Sequence, residues 1–311
     1  MTRTPEAAYK IIDVNWMGRP KSIACVLVQS NGINALIDPG PTSTIETLRS
    51  ELRRNGLSVP DLHAILLTHI HLDHAGAVGS LVQENQKLEI FVHEFGAKHM
   101  ADPSKLLASA GRLYGAEMDR LYGAVLPVPE ANLRPLEGEE TVSIGERDFE
   151  ILYTPGHASH HLTFWDSQEG TAFIGDVGGI SVEGDKFILP ATPPPDIDIE
   201  LWDQSLDAIA ALQPANLFLT HFGYAHEPEA HIARYRERLR GWSGMVKSFL
   251  DEGKNEEVAA KEFVDAVTGE IRGAEDEYGT DHYIFNGGLY LSWLGLLRYT
   301  KKKAEKSQSA T

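Results

Sequence analysis

Cysteine is nearly absent from this chain of 311 residues, and Cys25 is the one example. A single thiol cannot form a disulfide within the chain, and its apolar neighbours indicate a buried side chain. Basic residues are also scarce: 28 lysines and arginines stand against 45 acidic residues, which gives a formal net charge of −17. Because an acidic surface repels phosphate backbones, we expect no nucleic-acid partner.

Long apolar runs are missing as well. No uninterrupted apolar stretch is long enough to span a bilayer, so we expect no membrane partner. The first ten residues, MTRTPEAAYK, contain no apolar segment of the kind found in secretory signals. Together with the lack of disulfides, these absences predict a cytoplasmic protein. The hydrophobic content of 42% is ordinary for a globular domain with a sizeable core.

Short apolar runs alternate with helical patterns over the first two thirds of the chain. SIACVLVQS and INALIDPG are joined by Asn31-Gly32, which is a strong hairpin signal. Further runs at HAILLT, LEIFVHE, DFEILYT, TAFIGD and ANLFLT are typical of strands, and the alternation predicts an α/β fold. Long charged helical patterns follow residue 225. We therefore predict one domain over residues 1–225 and a helical C-terminal extension with a polar tail over residues 226–311.

The segment LLTHIHLDHAG places four potential metal ligands within six positions, directly after an apolar run: His69, His71, Asp73 and His74. If the chain stays extended, alternate residues face the same way, so the first three point to one side. The chain then turns at His74. An isolated histidine most often has a surface or packing role. Four such residues at this spacing instead predict a metal site, since imidazole and carboxylate bind zinc, manganese and iron.

Three later apolar runs end in residues of the same types. His157 follows FEILYTPG, Asp176 ends TAFIGD and His221 ends ANLFLTH. Strand ends at one edge of a sheet are where α/β folds usually build sites, so we expect these residues to join the first four. Seven side chains are too many for one tetrahedral zinc ion, and two metal ions that share a carboxylate fit better.

In this order, the residues resemble the metallo-β-lactamase superfamily, whose H-x-H-x-D-H signature corresponds to residues 69–74. The resemblance covers about residues 10 to 225. It implies an αββα sandwich of two mixed β-sheets flanked by helices, with a dinuclear metal centre at one edge. The ligand set that it implies for the first ion is His69, His71 and His157. The set for the second ion is Asp73, His74 and His221, with Asp176 as the bridge.

Supporting residues are also implied. Asp38, in IDPG at a strand end, is similar to the acid with which the family orients a ligand histidine, and Thr68 is a candidate for a similar role. Loop capping explains both residues equally well. Tyr224 and His226 follow His221 closely and are candidates for substrate contact, although packing is the simpler interpretation of Tyr224.

Other histidines near the signature receive no ligand role. His160 directly precedes HLTFW and His161 is its first residue, and this run looks like the start of a strand. Alternating exposure along that strand explains the pair, although one of them can face the pocket.

Departures from individual branches narrow the activity that the resemblance implies. True β-lactamases of the superfamily lack the bridging aspartate, so antibiotic hydrolysis is at most a weak side activity. The di-iron redox branch has Glu where this chain has His71, and lactonases often carry Tyr where it has Gly179. Gly179 thus weakens a close assignment to the lactonases, whereas the glyoxalase II branch shares every ligand. A glyoxalase II or lactonase-like enzyme is favoured over a true β-lactamase.

The expected mechanism follows from two metal ions about 3.5–4 Å apart, which can share a water molecule and lower its pKa toward neutrality. A hydroxide that bridges the ions is the expected nucleophile, and Asp73 is the expected catalytic residue, which orients the hydroxide or takes its proton. We predict two divalent ions, Zn²⁺ first, with Fe or Mn as alternatives.

The predicted enzyme is a hydrolase of a small ester, thioester or lactone. A phosphodiesterase with the same centre and a mononuclear-iron persulfide dioxygenase are the alternatives, while a non-catalytic binding module is disfavoured because no ligand is missing. Residues 94–130, the loop ATPPPDIDIE and the C-terminal helices are expected to shape the pocket. A homo-oligomer is possible, because the apolar stretch GGLYLSWLGLLRYT suits either a core or an interface.

Overall fold

Two mixed β-sheets pack face to face in the computed structural model, which describes residues 9–182 and 186–309. The first sheet has its strands in chain order: β1 (Tyr9–Asp13), β2 (Ala24–Ser30), β3 (Ile33–Ile37), β4 (Ala64–Leu66), β5 (Glu89–His93) and β6 (Leu133–Leu136). The pairs from β1 to β3 are antiparallel, and those from β3 to β6 are parallel.

The second sheet runs in reverse chain order from one edge to the other. Its strands are β7 (Thr141–Ile144), β8 (Arg147–Tyr153), β9 (Leu162–Asp166), β10 (Thr171–Phe173), β11 (Asn216–Leu219) and β12 (Gly223–Ala225). Only β10 and β11 pair in parallel among these described strands. The prediction of two mixed sheets is therefore confirmed.

Helices cover the outer face of each sheet. Those on the first sheet are α1 (Ile45–Arg54), α2 (Leu72–Ala75), α3 (Val78–Glu84), α4 (Glu94–Ala101), α5 (Ser104–Tyr114) and α6 (Met118–Tyr122). Those on the second sheet are α7 (Ile199–Ala211), α8 (Pro228–Asp251), α9 (Glu256–Ala274), α10 (Glu277–Gly287) and α11 (Leu289–Ser309). The layers thus follow the predicted αββα order, and in the described ranges no helix is long and apolar enough to cross a membrane.

Strand β2 shows how the sequence specifies these layers. Val26 and Val28 point into the core between the sheets, while Cys25 and Leu27 point outward under the helices. Because successive side chains of a strand face opposite ways, a strand buried on both faces is apolar at nearly every position. The β2–β3 hairpin is confirmed, and the positive φ angles of the Asn31-Gly32 turn match the type that joins twisted strands tightly.

The C-terminal helices share one apolar core with the second sheet. Trp202 of α7, Tyr235 of α8 and Trp293 of α11 are buried in the same cluster as Leu217 of β11. The stretch GGLYLSWLGLLRYT therefore contributes to this core, although Tyr290 is exposed. Helix α11 continues into the predicted polar tail as far as residue 309, and residues 310 and 311 lie outside the described part of the chain.

One edge of the sandwich collects the ends of four strands. Asp38 follows β3, His69 follows β4 by three residues, Asp176 follows β10 by three residues, and His221 follows β11. Backbone hydrogen bonds join the two sheets at this edge, from Ala24 N–H to the Thr220 carbonyl and from Leu162 N–H to the Thr68 carbonyl. The fold therefore brings the predicted ligands to one place.

Candidate metal centre

The signature segment is not the extended strand that the sequence predicts. Strand β4 already ends at Leu66, and residues 72–75 form the short helix α2. His69 and His71 therefore lie on an irregular connection, and Asp73 and His74 lie on a helical turn. The expectation of strict alternation from His69 to Asp73 is wrong, yet Ile70 between the histidines is buried in the core as expected.

Three imidazole nitrogens converge in what we call the first ligand set: His69, His71 and His157. Nδ1 of His71 lies 3.0 Å from Nε2 of His69 and 2.9 Å from Nε2 of His157. Nitrogens that bind one tetrahedral zinc at ~2.0–2.1 Å stand about 3.3 Å apart, so a small outward shift of these rings accommodates an ion.

The second ligand set lies beside the first and consists of Asp73, His74 and His221. The Oδ2 atom of Asp73 is 3.3 Å from Nε2 of His221 and 3.9 Å from Nε2 of His74. All three side chains present one donor atom to the same small volume.

Asp176 stands between the two sets. Its Oδ2 atom lies 3.5 Å from Nε2 of His157, in the first set. Its Oδ1 atom lies 3.2 Å from Nε2 of His74 and 3.5 Å from Nε2 of His221, in the second set. The two carboxylate oxygens thus face different ligand sets, and the structure brings all seven predicted ligand residues together.

Partners outside the cluster orient its histidines. Nδ1 of His157 donates to the Ala191 carbonyl at 2.8 Å, and Nδ1 of His221 donates to the Ser22 carbonyl at 2.7 Å. Because a carbonyl oxygen only accepts, each ring carries its hydrogen on Nδ1 and directs the lone pair of Nε2 into the cluster.

Asp38 has the same effect on His74. Its Oδ2 atom accepts from Nδ1 of His74 at 2.9 Å and from the hydroxyls of Thr68 and Thr220 at 2.7 and 2.8 Å. Its Oδ1 atom accepts from the Thr68 N–H at 2.9 Å. The orienting position that the resemblance implies for Asp38 is thus present, and Thr68 supports it while its hydroxyl also lies 3.1 Å from Nδ1 of His69.

The two sets differ in their protonation. Burial lowers the pKa of all three histidines in the first set, to about 3 for His71, where the neighbouring imidazole of His157 adds to the effect. Burial acts in the same direction on His74 and His221, but the surrounding carboxylates, led by Asp176, outweigh it and raise the pKa of both. Neutral imidazoles therefore fill the first set, and histidines paired with anions fill the second.

The pKa values of the carboxylates Asp73 and Asp176 are lowered, in the opposite direction to those of His74 and His221. Burial on its own would raise the pKa of Asp73, but His74 and His221 hold it at about 2. The same histidines, with His157, outweigh the burial of Asp176 and lower its pKa well below the usual range. Both carboxylates are therefore ionised at neutral pH and supply the negative charge that attracts a cation.

Two further histidines lie against the cluster, and the interpretation of both as strand residues is wrong. Strand β9 begins at Leu162, after them, and both are buried. The ring of His161 stacks on His69 at 5.1 Å and its Nδ1 contacts the Thr154 hydroxyl, while His160 lies 5.8 Å from the ring of His71 and lines the cavity above it. In the sequence, the signal for this placement is their spacing of three and four residues from the predicted ligand His157.

Tyr224 and His226 do not lie at the ligand sets or among the described residues that line the cavity. Strand β12 runs antiparallel to β11, so each residue after His221 leads back along β11, and Tyr224 pairs with Phe218. Tyr224 packs on that phenylalanine and on the ring of His226, whose Nδ1 contacts Asn216. Among the described residues that line the cavity at the cluster, neither of the two is present, so the structure gives their predicted substrate contact no support.

The sequence profile of the Metallo-beta-lactamase superfamily matches residues 18–221. Metallo-beta-lactamase fold-containing protein ST1585 from Sulfurisphaera tokodaii is 30% identical over 166 residues, which cover 52% of this chain and 61% of that protein. A hydroxyacylglutathione hydrolase from Legionella pneumophila is 27% identical over 145 residues, which cover 47% of this chain and 42% of that enzyme. The chain thus spans less than two thirds of the length of either relative.

The fold has a counterpart among solved structures that extends beyond the matched profile. The metallo-beta-lactamase family protein TTHA1429 from Thermus thermophilus superposes with a TM-score of 0.71 at 21% sequence identity. The superposition covers 96% of this chain and 94% of that one, so the shared fold includes the C-terminal helices. Since the family profile extends over more than half of the chain and includes every residue of both ligand sets, this chain belongs to the metallo-β-lactamase superfamily.

Proposed function

We propose that this protein is a hydrolase that binds two divalent metal ions, with zinc favoured over iron and manganese, and cleaves a small ester, thioester or lactone. The observation that carries the proposal is the position of Asp176. One of its oxygens faces His157, and the other faces His74 and His221. A carboxylate directed at two ligand sets is suited to bridge two ions, and a pair of ions is a common device of hydrolytic enzymes.

A second observation indicates that the donor atoms fit such ions. Nε2 of His74 and Oδ1 of Asp176 are sealed from solvent, and neither forms a hydrogen bond of normal geometry with a described residue. The two atoms face each other at 3.2 Å as an ion pair, and coordination of an ion would give each of them a partner of better geometry. Imidazole and carboxylate donors without thiolate suit zinc and also accept iron or manganese.

Divalent ions held by these sets would supply Lewis acidity and would lower the pKa of a water molecule toward neutrality. The remaining chemical role is performed by a side chain of the protein. Asp73 lines the cavity, its side chain is 24% exposed, and its pKa of about 2 keeps it ionised at neutral pH. We assign to its ionised carboxylate the orientation of the attacking water or the acceptance of its proton, because the side chain carries a negative charge and reaches the cavity.

The walls of the cavity favour a carbonyl substrate over a phosphodiester. Apolar side chains supply most of the described lining, which contains no arginine, and Lys98 and Lys105 are its only lysines. Both lysines are exposed at the mouth rather than next to the ligand sets. Phosphate oxygens are typically held by arginine pairs, so their absence from this lining favours an ester, thioester or lactone. The similarity to a hydroxyacylglutathione hydrolase supports the same choice.

Metal analysis combined with a substrate panel tests the proposal. Wild-type protein should contain two zinc ions per chain and should hydrolyse at least one of p-nitrophenyl acetate, S-phenyl thioacetate and δ-valerolactone. Asp176→Ala should lose one ion and most of this activity. Asp196→Ala is the matched control, because Asp196 lines the mouth of the same cavity outside both ligand sets and should keep both ions.

Three outcomes would overturn the proposal. The first is turnover of bis-p-nitrophenyl phosphate without turnover of any ester, thioester or lactone. The second is one iron per chain together with oxygen uptake on a persulfide. The third is an Asp176→Ala variant that keeps both ions, which would remove the bridging assignment.

A further inference from the structure

The ligand sets open into one large cavity of about 480 Å³. Three segments that are far apart in the chain form its walls: helices α4 to α6, the loop of residues 191–196, and residues 285–292 where α10 meets α11. These are the segments that the sequence predicts to shape the pocket. The volume lies within the range of about 300–1,000 Å³ typical of sites for whole small molecules.

One part of the cavity lining is apolar and largely aromatic. Trp16, Tyr114, Tyr122 and Phe285, which we call the aromatic wall, all line it. The ring of Trp16 lies 6.0 Å from that of Tyr122 and 5.5 Å from that of Phe285, and Tyr114 lies 5.1 Å from Tyr122. The Trp16 indole N–H donates to the Leu121 carbonyl at 2.7 Å, which fixes the position of the Trp16 ring.

The aromatic wall lies close to the reactive end of the cavity. Burial raises the pKa of Tyr114 to about 12 and also raises the pKa of Tyr122, and the charge of Asp73 contributes to both shifts. Asp73 belongs to the second ligand set, and Ile70 and Leu72 from the signature segment line the same cavity. A molecule whose scissile bond lies at the ligand sets therefore meets apolar surface directly beside that bond.

The mouth of the cavity has a mixed charge. Lys98 and Lys105 lie there on α4 and α5, and Asp196 lies on the 191–196 loop. His99 also lines the mouth, but burial and the two lysines lower its pKa, so it is neutral at pH 7. With both signs present, the mouth does not demand an anionic substrate, and the apolar interior is the stronger determinant.

We propose that the physiological substrate carries a bulky apolar group next to its ester, thioester or lactone bond. This group binds in the part of the cavity that helix α5 and the aromatic wall line, which we call the apolar chamber. The inference rests on the proposed function for the identity of the bond, but the apolar binding itself is independent of turnover. Apolar area removed from water stabilises a complex in proportion to its size. Longer apolar groups should therefore react faster and bind more tightly until the chamber is full.

Kinetics of two ester series test the specificity. In one series the acyl group grows from acetate through butyrate to hexanoate on p-nitrophenol. In the other, an S-alkyl group grows from ethyl to hexyl on thioacetate. At least one series should show kcat/KM rising up to about four-fold for each added methylene, the factor expected when a methylene is fully buried. Flat or falling values in both series, with hydrolysis that still depends on Asp176, would refute the apolar chamber and leave the proposed function intact.

Two neighbouring positions on α5 provide the variant and its control. Ser109 is half-buried and lines the cavity, whereas Ala108 is exposed on the same helix and does not. Ser109→Phe should fill the chamber and reduce the preference for hexyl over short groups at least ten-fold. Ala108→Phe should leave this preference unchanged. Equal effects of the two substitutions would contradict the placement of the apolar group.

A binding measurement decides the inference even if no ester is hydrolysed. Calorimetric titration of the metal-loaded protein with unreactive neutral amides, from butanamide to octanamide, should show Kd falling as the chain lengthens. The fall should be lost in Ser109→Phe and kept in Ala108→Phe. Affinity that does not depend on chain length in the wild type would overturn the proposal, whatever the outcome of the kinetic assays.

Discussion

Replacement of Asp38 by Asn tests how far the metal centre depends on a residue that does not face the ions. Asp38 is fully buried and accepts four hydrogen bonds, three at Oδ2 and one at Oδ1. Its φ of 49° is one that Asn also tolerates, so the substitution adds no backbone strain. An amide supplies only one acceptor oxygen, so its NH₂ group must face a donor, most favourably the Thr68 N–H.

The magnitude follows from these contacts. One hydrogen bond is lost and three lose the charge of their acceptor. Since a hydrogen bond to a charged group contributes about 1.5–3 kcal/mol, the metal-free protein should lose about 3 kcal/mol of stability. His74 also loses the anion that orients Nε2, and changes of this kind typically cost about 10–100-fold in metal affinity. Competition with a chromophoric chelator measures the affinity, and urea unfolding of metal-free protein measures the stability.

Asp166→Asn is the matched control for this experiment. Asp166 is equally buried and binds the Tyr9 hydroxyl and Arg147, away from both ligand sets. This variant should lose comparable stability and keep its metal affinity. Metal affinity within two-fold of wild type in Asp38→Asn, or an equal loss in Asp166→Asn, would show that the orienting contact does not support the ions.

Three further predictions concern pH and glycine positions. If each set binds an ion as proposed, lowering the pH from about 8 to about 6 should release the ion of the second set first. His74 and His221 have raised pKa values and take up competing protons, whereas the histidines of the first set have lowered pKa values. Simultaneous loss of both ions on dialysis would refute this prediction. Gly156→Ala should destabilise the protein and weaken metal binding, since the new Cβ would lie 2.4 Å from Cα of Trp202 and displace the adjacent ligand histidine; an unchanged metal content would contradict it. Gly244→Ala, inside α8 with nothing within 4 Å of the added Cβ, should instead stabilise by about 0.5–1 kcal/mol in urea unfolding, and a loss of stability would show that its helix surface is not free.

The positions of the metal-site residues were predictable because each follows an apolar strand. In a layered fold such strands end at common edges, so His157, Asp176 and His221 could be placed beside the signature without knowledge of the connections. The local conformation of the signature was not predictable in the same way. The two-residue repeat assumes an extended chain, but the chain turns at His71 into α2, and the fold rather than the repeat directs Asp73 inward.

The residues that line the cavity could not be predicted from the sequence, and the reason is topological. Tyr224 is near His221 in sequence, but the antiparallel return of β12 carries it away from the site. Tyr114 and Phe285 are 171 positions apart (285 − 114), and yet they line one chamber. Such contacts depend on how α5 and the C-terminal helices pack over the sandwich. An amphipathic pattern reveals that a helix packs, but it does not identify the neighbour against which it packs.

The hydrogen bond from His221 to the Ser22 carbonyl has a consequence for biosynthesis. It joins residues 199 positions apart, and the contact between Thr220 and Asp38 joins residues 182 positions apart. A ribosome that adds about 5–20 residues per second needs roughly 10–40 s to extend the chain from one partner to the other. The signature histidines thus emerge long before the strand that completes their site. The second ligand set is complete only when His221 has joined Asp73 and His74, so we expect an ion at this set to bind after the second sheet has formed.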